Sequence, residues 1–185
     1  MARTPMVTRD RVPEHLRAAF DAETAGSGGV VASGPGSVMI NSPEMRRRAN
    51  HLVNYLRNDS TLPKKIQELA MLITARAMDC QFIWNAHAAR GRREGLSDAL
   101  VEALRDRRPL PSLPADEAAV VRYGMEFFST HKVSQTTFQA ALDQFGAQSL
   151  TELTTLMGYY ALLAFNANAF EIDLPPERTE PLLPI

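Results

Sequence analysis

The chain has 185 residues, 45% of them hydrophobic and 22% charged, with a formal net charge of −1. That length predicts one domain with a sizeable core, and that balance excludes wholesale disorder and argues against broad nucleic-acid affinity. The single cysteine, Cys80, excludes an intrachain disulfide framework and suits a reducing cytoplasm, and the start MARTPMVTRDRVP has no apolar stretch of secretory type.

In chain order, a short helix is expected over Pro13–Glu23, followed by a Gly/Ser-rich loop, GSGGVVASGPGS. The loop lacks the G-x-x-x-x-G-K-[ST] pattern and the strand–helix frame that phosphate binding requires. Ser42-Pro43 opens the next helix, which runs to Asn58 with Ser42 as its cap and Met45, Ala49, Leu52, Val53 and Leu56 as its apolar stripe. Arg46, Arg47 and Arg48 on it read as a solvated, ion-paired face.

Two helices then form the centre of the chain. Pro63 suits the first turn of one, in which Glu68 is set among Ile66, Leu69, Leu72 and Ile73. Asp79 is expected to cap the second, with Cys80 in its first turn. Cys80, Trp84 and His87 recur at i, i+4 and i+7, which places thiol, indole and imidazole on one helical face.

Ser97-Asp98 caps a further helix through Leu104, and the proline-rich RDRRPLPSLP follows it. Asp116–Ser129 and Ser134–Phe145 are helical, the second ended by Gly146. Ser149 caps the last and most apolar helix, through Phe170. From Leu153 to Phe170 it holds no charge, but Thr154, Thr155, Asn166 and Asn168 dilute it, and acidic Glu152 and Glu171 flank it. It reads as a buried or subunit-interface helix, with Tyr159, Tyr160, Leu162, Leu163 and Phe165 spread around it. The tail DLPPERTEPLLPI is expected to run extended over the surface. No stretch alternates at period two, so the chain is expected to be all-α.

The residues able to carry chemistry lie in the central pair. A thiol at a helix N-terminus gains thiolate character from the terminal dipole, against which Asp79 works. A lone cysteine is otherwise a small buried hydrophobe. His87 is a proton donor or acceptor, or else a core histidine bonded to a carbonyl. Trp84 is a packing anchor whose indole N–H needs a partner. Arg76 follows Glu68 at i+8 and is expected to neutralise it, the alternative being a hold on a substrate carboxylate. His15, His51, His87 and His131 are scattered without ligand spacing, so neither metal nor cofactor is expected.

The spacing Glu68-x11-Cys80-x2-Ile83-x3-His87, with Trp84 before His87 and Gly95-Leu96-Ser97 opening the next helix, resembles the carboxymuconolactone decarboxylase family. The likeness extends from GPGSVMINSPEM to LTELTTLMGYYALLAFNANAFEIDLP. It implies an alkylhydroperoxidase D-like, all-helical domain over residues 38–175, with a central helical hairpin, preceded by an extension over 1–37 and followed by a tail over 176–185. It also implies a trimer or hexamer. In alkylhydroperoxidase D two cysteines form a redox disulfide while the glutamate and histidine relay protons. Ile83 stands where the second cysteine would be, so Glu68 and His87 carry over by position and Cys80 only as a lone thiol. Three functions follow as expectations. The first is a decarboxylase-like enzyme acting on a small organic acid or lactone, with Glu68 and His87 moving protons and Arg76 and Trp84 holding substrate. The second is a one-cysteine peroxidase using Cys80. The third is a non-catalytic oligomeric binding protein. A cytoplasmic location, with no nucleic-acid or membrane partner, completes these expectations.

Overall fold

The computed structural model describes residues 2–178 and 180–185, so Met1 of the extension and Thr179 of the tail lie outside the described residues. Eight α-helices carry it: α1 Arg17–Thr24, α2 Pro35–Met39, α3 Pro43–Asn54, α4 Lys64–Ala77, α5 Gln81–Arg93, α6 Asp98–Asp106, α7 Ala115–Thr130 and α8 Gln135–Ala169. Among the described residues there is no strand. No helix among them is long and apolar enough to cross a membrane.

α4 is the axis of the molecule. Every residue from Ile66 to Arg76 is buried, because α5, α6, α7 and α8 surround it. A helix of this length is marginal alone in water, so its order comes from packing. Ile66, Leu69, Met71 and Leu72 are each fully enclosed, and such burial stabilises by roughly 1.5–3 kcal/mol per side chain. Close approach is secured by Gly91 on α5, where a Cβ would stand 2.8 Å from Leu96 Cδ1 and 3.3 Å from Leu72 Cδ1. Phe20, Val7, Val12 and Ile40 form a separate small cluster in the N-terminal region.

Several local details differ from the sequence reading. The first helix begins later, at Arg17, after short 3₁₀ turns at Arg9–Arg11 and Glu14–Leu16. α2 occupies the end of the Gly/Ser-rich loop, with Pro35 in its first turn. The helix expected through Asn58 closes at Asn54 and passes into a π turn over Tyr55–Asp59. Ser42 makes no side-chain cap, whereas Ser97 accepts from Leu100 N and Ser134 from Thr137 N. Gly146 does break the helical run, at φ 75° and ψ 167°, so α8 is two helical stretches joined at a kink. The tail is not wholly superficial: Leu183 is buried, its backbone paired in both directions with the Gln81 amide at 2.8 and 2.9 Å.

The basic run on α3 is ion-paired as expected, but only Arg47 and Arg48 face solvent, whereas Arg46 is largely buried. Arg47 and Arg48 pair with Glu44, one turn back, and Arg46 reaches Glu23 of α1 at 2.5 Å.

Candidate active site

The α4–α5 turn sets the geometry of the site. Met78, Asp79 and Cys80 close α4 in a Schellman arrangement: Cys80 N donates to Ala75 O at 2.8 Å and Asp79 N to Arg76 O at 3.3 Å. Asp79 takes the left-handed position, φ 47°, which normally falls to glycine and costs a side-chain-bearing residue about 1–2 kcal/mol. Its carboxylate offsets part of that by accepting from Arg76 Nη1 and, at 3.1 Å, from Arg107 Nη2. The expected helix-capping role therefore does not belong to Asp79. Cys80 itself is the residue before the first turn of α5, and Trp84 N donates to its carbonyl at 3.0 Å.

This tight reversal folds α5 back along α4 and brings Glu68 against His87. Glu68 Oε2 lies 2.7 Å from His87 Nδ1, with both side chains buried. One proton lies between these two atoms. Carried on Nδ1 beside an ionised carboxylate, it leaves the neutral ring a bare lone pair on Nε2; carried on the carboxyl, it faces a bare Nδ1 on a ring whose own hydrogen is on Nε2, and the pair then holds one proton more. Burial lowers the imidazole below its ordinary 6.5, against the opposing pull of Glu68, so the neutral ring is the favoured state.

Tyr160 of α8 closes the histidine's flank, its ring edge-on at 5.1 Å and 84°. Burial pushes its hydroxyl up to about 12, against the opposing pull of Arg57, so it stays a neutral phenol. In the sequence, Tyr160 reads as part of an apolar surface. The one available signal was a hydroxyl-bearing ring inside a chargeless helix.

Cys80 is wholly enclosed, and burial raises its thiol above the ordinary range, although the N–H groups of Phe82 and Ile83 pull the other way. Trp84 is enclosed as well, and its indole N–H finds no partner in the protein. Asn85, beside it, has an amide oxygen in the same condition. Arg76 is not the partner of Glu68. Eight residues along a helix is about 12 Å, too far for that pair, and the left-handed turn supplies Asp79 instead. Its Nη2 donates to Pro184 O at 3.1 Å. Among the described residues, no three of His, Cys, Asp and Glu converge as a metal cluster would require.

Residues 43–121, which include Glu68, Cys80 and His87, match the model of the carboxymuconolactone decarboxylase family. The match spans less than half of the chain and shows that this segment is similar to that family. No curated protein matches the chain. Three solved structures share the fold over nearly the whole length. An uncharacterized peroxidase-related protein from Silicibacter sp. TM1040 is 14% identical over 95% of this chain and 92% of its own, with TM-score 0.72. Another, from Ralstonia eutropha JMP134 and described as an alkylhydroperoxidase AhpD core, is 16% identical over 95% and 93%, with TM-score 0.70. The debrominase Bmp8, in complex with 2,3,4-tribromopyrrole, is 12% identical over 95% of both chains, with TM-score 0.68. At such identities the likeness carries the architecture, which is all-α and AhpD-like, and not the reaction.

Proposed function

We propose that the protein is a carboxymuconolactone decarboxylase-like enzyme acting on a small organic acid or lactone, with proton transfer through Glu68 and His87. The observation that carries this reading is the 2.7 Å Glu68–His87 contact. In decarboxylation the C–C bond to the carboxylate breaks, its electron pair stays on the carbon skeleton, and CO2 leaves. That carbon then needs a proton. With the shared proton on Glu68, the neutral imidazole gives its Nε2 hydrogen to the carbon while the Glu68 proton moves to Nδ1. The pair thus delivers one proton without forming an imidazolium, which burial disfavours. Trp84, three residues before His87, would serve as donor to a substrate oxygen only if the enclosure around its unpartnered indole N–H opens.

The peroxidase reading has less support. Cys80 is enclosed, its thiol is raised rather than lowered, and Ile83 stands where a second cysteine would resolve a sulfenic acid. The non-catalytic reading draws on a specific observation of its own: Glu68 and His87 are only 6% and 5% exposed. Incubation with carboxymuconolactone, measuring released CO2, tests the proposal. Turnover lost in a folded His87→Asn protein supports it. Consumption of peroxide with dithiothreitol, lost in Cys80→Ser, would establish the peroxidase instead, and no turnover of either compound favours the binding protein.

A further inference from the structure

A cavity of about 340 Å³ opens between the C-terminal ends of α4 and α6, the linker after α6, and α7. Its walls are Ile73, Ala77, Ala103, Leu104, Leu110, Met125 and Phe128, and its polar groups are Ser129 and three arginines, Arg76, Arg107 and Arg108. No acidic side chain lines it, and none of Glu68, Cys80 and His87 reaches it. The volume falls in the range of about 300–1,000 Å³ that small-molecule sites occupy.

The arginines are not spent on structure alone. Arg76 is only 7% exposed, and while its two terminal nitrogens go to Asp79 and Pro184 O, its Nε is buried without a partner. A buried guanidinium N–H left unmatched is costly, and a negative charge in the adjoining cavity offsets part of that cost. Arg107 is held in place by its own backbone, in the left-handed position that ends α6 at φ 52°, with Nη2 on Asp79. Arg108 also lines the cavity, its guanidinium shared with Asp106 at 3.2 Å and Glu102 at 3.6 Å.

We infer that this cavity is a second binding site, separate from the Glu68–His87 pair, for a small carboxylate with an apolar body. The aliphatic and aromatic walls take the body, and the exposed Arg107 and Arg108 guanidiniums, with the buried charge of Arg76 behind them, take the carboxylate. Guanidinium suits that headgroup because its planar donors match two oxygens at once. The site stands whether or not the chain decarboxylates anything.

Titration calorimetry with decanoate, and with decanol as the uncharged counterpart, tests this on the full chain. Decanoate is expected to saturate one site per chain, and decanol to bind about 10-fold or more weaker, as loss of a charge-assisted hydrogen bond requires. Arg107→Glu, an exposed change that leaves the core untouched, should weaken decanoate by about 10-fold or more. Ala77→Trp, at an exposed position on the cavity wall, should abolish binding while the circular dichroism spectrum stays native. Absence of decanoate binding, equal binding of decanol, or unchanged affinity in Arg107→Glu would each overturn the assignment. A fall in decanoate affinity in folded His87→Asn would overturn the separateness of the two sites.

Discussion

Glu68 and His87 face each other across the α4–α5 hairpin at 2.7 Å, nineteen residues apart in sequence. If the pair moves protons, Glu68→Gln and His87→Asn should each reduce turnover by about 100-fold or more, the scale of general acid–base groups. The double mutant should be little worse than either single one, because groups acting as a unit are not additive. A structural pair would instead lower melting temperature in both variants and leave activity per folded molecule unchanged. Measuring both quantities on the same preparations separates the two. Full activity in folded His87→Asn removes the pair from the mechanism.

The same histidine should make the fold pH-dependent. Its folded pKa is depressed below the ordinary 6.5, so between those two values the unfolded chain binds more protons than the folded one. Stability is then fully present above about 6.5 and declines as pH falls through the window beneath it. Melting temperature recorded from pH 7.5 down to pH 5 should show that decline, and His87→Gln should flatten it. An unchanged slope in the variant would sink the assignment.

How much of this was legible beforehand depended on the range of the interaction. The all-α character, the helical hairpin and the Gly146 break are local and periodic, and the sequence carries them in apolar spacing and punctuation. The four residues Glu68, Cys80, Trp84 and His87 were visible through spacing, and the structure adds that two of them touch. Arg76 was misplaced because spacing along a helix says nothing about a left-handed residue just beyond its end, and Asp79 is a poor sequence signal for that backbone. Tyr160 was unreadable as a neighbour of His87 because the contact spans helices 73 residues apart, and no local pattern encodes it.

Cys80 should prove dispensable for turnover. The thiol is enclosed and raised, so it offers little thiolate to peroxide or substrate. Cys80→Ala is expected to keep most activity and lose some stability from the missing sulfur contacts. A sulfenic-acid probe applied after brief peroxide exposure should leave the native protein unlabelled. Labelling together with thiol-dependent peroxide consumption would reverse this expectation.

Association of the chain with itself is the expectation most exposed to a direct test. On α8, Tyr159 and Tyr160 turn into the core, whereas Leu162 and Phe165 remain 42% and 65% exposed. Apolar side chains presented together on one helix mark an interaction surface. The wild-type chain is expected to sediment as a trimer or a multiple of three at micromolar concentration, and Phe165→Asp to shift it toward monomer. A stable wild-type monomer at that concentration removes the proposal.

Glu152 is a buried acid that the sequence reading used only as a helix flank, and it fixes the approach to α4. Its carboxylate accepts from Tyr55 Oη at 2.7 Å, Thr61 N at 2.9 Å, Thr61 Oγ1 at 2.8 Å and Gln148 Nε2 at 3.1 Å. Burial alone would raise the group, but these donors outweigh it and hold the pKa at about 2, below the ordinary 4.5. The sign follows from the depressed value. Stabilisation is present above pH 4.5 and is lost as pH falls from there toward 2. Glu152→Ala leaves Thr61 N and the Tyr55 hydroxyl without their acceptor and should cost about 3 kcal/mol, or roughly 6–12 °C in melting temperature for a chain of this size. Glu152→Gln keeps the shape, restores some of the hydrogen bonds, and should lose less. Because Thr61 lies in the connector that delivers the chain into α4, both variants should also loosen Glu68, seen as faster amide exchange at the N-terminal end of α4. Acid titration of wild type and Glu152→Gln side by side decides the matter, since identical acid-unfolding midpoints would show that Glu152 carries none of this stability.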